Sequence, residues 1–192
     1  MDFETLEKKI EKCCNCILCK TRTRTVMGRG NRHADVMFVG DAPSNEDNEL
    51  GKPFVGLAGH LLSQYMVACD IPEDEVYLCN IVKCCPPENR DPDEEEQNAC
   101  IGFLREQVKL VRPKIIVCLG GIAAKRMIDK DFNITRDHGK WYEKGNFHLM
   151  GVYHPSVLLR DEDKREDMLA DLDEVAKAMK ALKVLGTDYP RS

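Results

Sequence analysis

Residues 35–69 read DVMFVGDAPSNEDNELGKPFVGLAGHLLSQYMVAC, and their order decides the fold. Residues 35–39 (DVMFV) are a short apolar run stopping at Gly40, the pattern of a strand buried on both faces. After a polar loop, Leu57, Leu61, Leu62, Tyr65, Met66 and Cys69 recur at helical spacing, which predicts a helix over 57–69. The same alternation continues downstream. Residues 76–82 (VYLCNIV), 114–119 (KIIVCL) and 147–153 (FHLMGVY) are three further buried-strand candidates. Pro92 and the acidic residues 93–96 mark a helix start, because proline suits the first turn and carboxylates suit the positive end of the dipole. That helix should run to about Val111 and stop before Pro113. Gly120-Gly121 opens another helix near 122–128, and Met168, Leu172, Val175, Met179 and Leu182 space a last one over about 163–183. A short helix over 4–12 carries Leu6 and Ile10 on one face. Strands alternating with helices predict an α/β fold: a single three-layer domain over residues 1–192, with a central, mostly parallel four-stranded sheet flanked by helices.

Composition agrees with a globular chain. At 192 residues, one domain is the default, and 43 % hydrophobic with 32 % charged residues excludes disorder as the global state. No apolar run approaches the roughly 18 residues of a membrane span. The N-terminal MDFETLEKKIEK lacks the apolar core of a secretory signal, so no membrane association and a cytoplasmic location are expected. No long exposed apolar stripe is visible, which predicts a monomer. The net charge of −5 argues weakly against a nucleic-acid partner. Its distribution differs: residues 8–32 hold eight Lys or Arg against one Glu, and residues 161–174 hold eight Asp or Glu against two basic residues. Taken alone, this describes two solvated surfaces of opposite sign, although a local basic face is what attracts phosphate.

Ten cysteines are many for a reducing compartment, where clustered thiols more often mean metal or redox chemistry than disulfides. Cys13, Cys14, Cys16 and Cys19 form one patch, and Cys84, Cys85 and Cys100 another. A C-x2-C pair can chelate from a tight turn, and two thiols from elsewhere complete four soft ligands, which suit either zinc or an iron–sulfur cluster. Spacing does not choose between them. A redox pair ranks below metal binding, because the strand–helix context of such pairs is missing. Cys69, Cys79 and Cys118, on helix or strand faces, are expected to be buried apolar cysteines.

In open α/β sheets, ligands bind beyond the carboxyl ends of the strands. The loops there carry Gly40-Asp41-Ala42, the aromatic Phe54 between Gly51 and Gly56, Asn80, and His154-Pro155-Ser156. Singly, each has an ordinary explanation: a loop carboxylate or helix cap, a core aromatic, a satisfied strand-end amide, a surface imidazole. Together, a carboxylate, a flat ring, an amide and an imidazole at one sheet edge would bind a flat heterocycle by stacking and edge hydrogen bonds.

These strings carry a resemblance. From about Leu6 to Leu182 the chain resembles the family 4 uracil-DNA glycosylases, the iron–sulfur branch of the uracil-DNA glycosylase superfamily. The matching segments are Cys13-x2-Cys16-x-Leu18, TRTRTVMGRGN, VGDAP, GKPFVGLAG, NIVKCCPPENRDP, ITRDHGKWYE and HPSVLLR. The resemblance implies a DNA repair enzyme that hydrolyses the N-glycosidic bond of uracil in DNA after base flipping. It implies a 4Fe–4S cluster on Cys13, Cys16, Cys84 and Cys100, with Cys14 and Cys19 as rival members of the N-terminal patch. Phe54 would stack on the base, Asn80 would read its edge, and His154 would stand near uracil O2. The backbone of Gly40, Asp41 and Ala42 would line the pocket, and Asp41 would stabilise the sugar cation or orient water. The loop with Ser156, Leu158, Leu159 and Arg160 would engage the duplex, a leucine serving as wedge. The family commonly has Glu where this chain has Asp41, and Gly where it has Ser44. Those departures prompt one alternative, a shifted base preference (hypoxanthine or xanthine); rival readings from other classes are a non-catalytic iron–sulfur module that binds nucleic acid or a polymerase partner, and a zinc-stabilised protein binding free nucleotides.

Overall fold

The computed structural model describes residues 1–185. Its helices and strands alternate in the order α1 (Phe3–Glu11), β1 (Arg29–Gly30), β2 (Val36–Gly40), α2 (Asn45–Leu50), α3 (Leu57–Ala68), β3 (Val76–Asn80), α4 (Glu94–Val111), β4 (Ile115–Leu119), α5 (Gly121–Met127), α6 (Ile134–Asp137), β5 (Trp141–Lys144), β6 (Phe147–Val152), α7 (Pro155–Leu158) and α8 (Arg165–Leu185). The sheet order is β1-β3-β2-β4-β6-β5. The inner four strands are parallel, as expected from their apolar runs. The four-strand expectation is corrected to six. β1 pairs antiparallel with β3, and β5 pairs antiparallel with β6. Two residues of β1 have no side-chain periodicity to detect. β5 is a mostly exposed edge strand, returning to β6 through a turn at Gly145 (φ 63°).

Side chains alternate between the sheet's two faces with the strand period of two. Val36, Phe38, Val76 and Leu78 join the core beneath α3 and α8. Met37, Val39, Tyr77 and Cys79 join the core beneath α4 and α5. Cys69, Cys79 and Cys118 are buried, as their positions predicted. Burying each large apolar side chain contributes about 1.5–3 kcal/mol, so the two faces lock the register of the strands.

α4 begins where the acidic run predicted. Asp93 accepts from the Glu96 N–H at 2.8 Å while Glu96 accepts from the Asp93 N–H, a reciprocal cap. It ends at Arg112 in the left-handed region, just before Pro113. α2, α6 and α7 were not anticipated; each spans six residues or fewer, too short for an apolar stripe. Because the inner strands are parallel, Gly40, Asn80, Leu119 and Val152 all finish at one edge of the sheet, and the loops that follow them meet there.

Candidate active site

Gly40 at the end of β2 pairs in register with Asn80 at the end of β3. A Cβ built on Gly40 would collide with Asn80 Oδ1 and lie 2.7 Å from Phe54 Cζ. The aromatic ring and the amide therefore both stand against a bare stretch of backbone. Gly120, just past β4, plays a matching part (φ 105°): a Cβ there would lie 2.7 Å from Asp41 Oδ2 and 3.2 Å from His154 Cβ. Two glycines thus let side chains from four distant segments close on one edge of the sheet.

Phe54 has a left-handed backbone (φ 58°), a costly state for a residue with a bulky side chain. Its neighbours over-determine it. The Val55 N–H donates to Asp47 Oδ1 at 2.8 Å, and Arg29 Nε donates to the Pro53 carbonyl at 2.9 Å. Gly59 lacks the Cβ that would strike the Phe54 main chain. Asp47 is a contributor the sequence reading missed, although Ser44-x-x-Asp47 is a capping signature. Ser44 caps α2 with φ −79°, so serine in place of glycine strains nothing here.

Asn80 is 1 % exposed, and both its amide nitrogen and its amide oxygen lack partners in the fold. An idle buried polar group costs about 1–3 kcal/mol until a water or a ligand supplies the missing bonds. Its main-chain carbonyl, by contrast, is held at 2.5 Å by Nζ of the buried Lys83.

His154 is the N-cap of α7. Ser156 donates its backbone N–H to Nδ1 at 3.2 Å, and its hydroxyl lies 2.7 Å from the same nitrogen. Nδ1 is therefore an acceptor, and the neutral ring carries its proton on Nε2. Burial lowers the imidazole to about 4, so the ring is neutral at physiological pH. Asp41 accepts the Ala123 N–H at 2.7 Å, in the first turn of α5. Burial nevertheless raises its carboxyl to about 7, the Ala123 hydrogen bond working against the shift.

A cleft of about 540 Å³ opens onto Asp41, Ala42, Asp91 and His154, with Lys125 and Arg160 also on its walls. Phe54 and Asn80 are buried against Gly40 and do not line the open cleft. The four expected DNA-contacting residues divide. Arg160 is exposed and lines the cleft, while Ser156 is engaged with His154. Leu159 is 47 % exposed, whereas Leu158 is fully buried in the core under α3 and α8.

The cysteines divide as well. Cys13, Cys16, Cys84 and Cys100 line one small cavity together with Cys19. Cys14 and Cys85 do not line it. Cys85 packs into the loop after β3, its sulfur 3.5 Å from Asn45 Oδ1 and 3.3 Å from the Pro86 carbonyl. All ten cysteines are free thiols. Arg22 Nη1 donates to Cys84 Sγ at 3.2 Å, and Lys83 also lines the cavity. Burial holds the Cys84 and Cys100 thiols above their ordinary range, Cys100 at about 11. Among the described residues, no three His, Cys, Asp or Glu side chains are grouped to hold a single metal ion. Five soft thiols thus line one void, with Arg22 and Lys83 beside it, a donor set of the kind that suits an iron–sulfur group.

Known proteins resemble this chain over most of its length. The sequence model of the Uracil DNA glycosylase superfamily matches residues 27–183. A type-4 uracil-DNA glycosylase from Thermotoga maritima is 38 % identical over 184 residues, covering 93 % of this chain and 95 % of that protein. Another from Archaeoglobus fulgidus is 36 % identical, covering 91 % of this chain and 92 % of its own. A type-5 uracil-DNA glycosylase from Pyrobaculum aerophilum is 33 % identical over 70 % of this chain and 67 % of its own. By sequence match along nearly its full length, the chain belongs to the uracil-DNA glycosylase superfamily, within the type-4 group.

Proposed function

We propose that this protein removes uracil from DNA by hydrolysing its N-glycosidic bond, leaving an abasic site. The observation that carries the reading is the Asn80 amide, buried and without a partner beside the Phe54 ring. A base inside a duplex is out of reach, so the nucleotide flips out and its unstacking cost is offset by contacts in the pocket. Phe54 stacks on the flipped base. Asn80 donates Nδ2–H to uracil O4 and accepts N3–H at Oδ1. Cytosine presents the opposite pattern and leaves the amide mismatched. His154 donates Nε2–H to O2, where negative charge develops as the base leaves. Asp41, when ionised, stabilises the cationic sugar or orients the attacking water. Gly40 and Ala42 line the pocket through their backbones.

Leu159, the exposed leucine of the loop, fills the gap left by the flipped nucleotide. Arg160 and the basic residues between 20 and 32 hold phosphates without reading sequence. Cys13, Cys16, Cys84 and Cys100 would hold a 4Fe–4S cluster. When bound, such a cluster would tie the N-terminal segment to the 84–100 segment that runs from the loop after β3 into α4, and would supply no redox step to the hydrolysis. The protein works as one domain, as a monomer, in the cytoplasm.

The test is release from duplexes carrying one uracil, hypoxanthine, xanthine or cytosine, read as strand scission after alkali. Scission at uracil and not at cytosine is the expected result. Release of hypoxanthine or xanthine in preference to uracil would move the activity to deaminated purines, and no release at all would withdraw the enzyme reading.

A further inference from the structure

We propose that Lys83 is a positioning residue that couples the cysteine cavity to the base-reading amide. The proposal rests on the function and cluster given above. Lys83 is 1 % exposed. Its Nζ donates to the carbonyl of Asn80, and among the described residues no carboxylate pairs with it. An ammonium has three donors, and only one is used in this way. Lys83 also borders the cavity lined by Cys13, Cys16, Cys19, Cys84 and Cys100.

The Lys83 backbone is tied down at its carbonyl. Its carbonyl accepts the Val26 N–H at 2.8 Å, and its main chain stands against Cys100. A buried cation without an anion is strongly unfavourable. The missing anion matches the group that four thiolates would hold, and Arg22, donating to Cys84, supplies the second balancing charge. The backbone unit that Lys83 fixes is that of the residue whose side chain meets the base. With the anionic group in place, the lysine stays buried and the Asn80 carbonyl stays pinned. Lys83 thereby links a non-catalytic cluster to recognition of the base.

The test compares Lys83→Met and Lys83→Arg in the full, iron-loaded chain, by iron content, midpoint potential of the cluster, and kcat and KM on a uracil duplex. Lys83→Met should keep its iron. Its potential should become more negative, because removing a nearby positive charge disfavours the reduced cluster. Its kcat should fall about tenfold to a hundredfold with little change in KM, as for a small misplacement of a reacting group. Lys83→Arg, which keeps charge and donors, should restore much of both. An iron-loaded Lys83→Met with wild-type potential and kcat would overturn the proposal. So would failure of both variants to fold with iron, since the role would then be structural alone. A wild-type chain that binds iron and releases no base would instead sink the glycosylase reading, and the potential shift would still report on Lys83.

Discussion

The backbone N–H of Ser156 donates to Nδ1 of His154 at 3.2 Å, fixing the neutral imidazole with its proton on Nε2. The ring is held neutral by burial, so it acts as a hydrogen-bond donor rather than as a cation. Removing a donor aimed at developing charge costs about 10²–10³ in kcat. His154→Ala should therefore lose about that much in single-turnover rate with little change in KM. Ser156→Ala keeps the backbone donor and should stay within about tenfold of wild type. Equal losses in the two variants would show that the hydroxyl, not the backbone, sets the tautomer.

Asn80 places recognition and stability in opposition. Its amide is buried with no partner in the fold. Replacing it with a similarly shaped apolar side chain, Asn80→Leu, should stabilise the fold by about 1–3 kcal/mol, read in thermal or denaturant unfolding, while abolishing uracil release. Asn80→Asp should relax discrimination against cytosine or abolish release. Unchanged uracil activity in both variants would remove Asn80 from the pocket.

The carboxyl of Asp41, raised to about 7, gives two pH signatures. If its ionised form is the active one, kcat should climb about tenfold per pH unit below about 7 and level off above. That climb should be absent in a slower Asp41→Asn enzyme. For stability the sign is opposite. The folded protein holds this proton more tightly than the unfolded chain, whose carboxyl sits near 3.8. The contribution is thus full below about pH 4 and lost as the pH rises through about 7. The stability of wild type relative to Asp41→Asn should shrink over that window in thermal unfolding. A pH-independent difference would contradict the assignment.

Neighbouring leucines should behave in opposite ways. Leu158→Ala opens a cavity in a packed core and should destabilise by about 2–5 kcal/mol. Leu159→Ala should leave unfolding nearly unchanged and slow release from duplex more than from single-stranded DNA, where no gap needs filling. Arg160→Gln should flatten the dependence of binding on salt by about one unit of log–log slope. A Leu159→Ala enzyme with equal rates on both substrates would rule out the wedge.

Much of the fold was legible because the inner strands are continuous apolar runs and the long helices carry stripes and caps. β1 and β5 were not, since a two-residue strand has no period and an exposed edge strand has no buried face. The loops of the site were legible as a combination: Asp41, Phe54, Asn80 and His154 follow strands whose parallel order sends them to one edge. The difference between Leu158 and Leu159 was not, because one residue's rotation on a single turn of helix decides which is buried. Lys83 carried no signal at all, since a lysine beside cysteines reads as surface until its burial and its bond to the Asn80 carbonyl are seen.

The central claim is that Phe54, Asn80 and His154 form one slot for an extruded uracil, and a crystal structure with free uracil bound tests it most directly. The account predicts the base stacked on Phe54, its O4 and N3 paired with the Asn80 amide, and its O2 facing Nε2 of His154. Uracil bound elsewhere, or bound with the Asn80 amide still unpartnered, would contradict it.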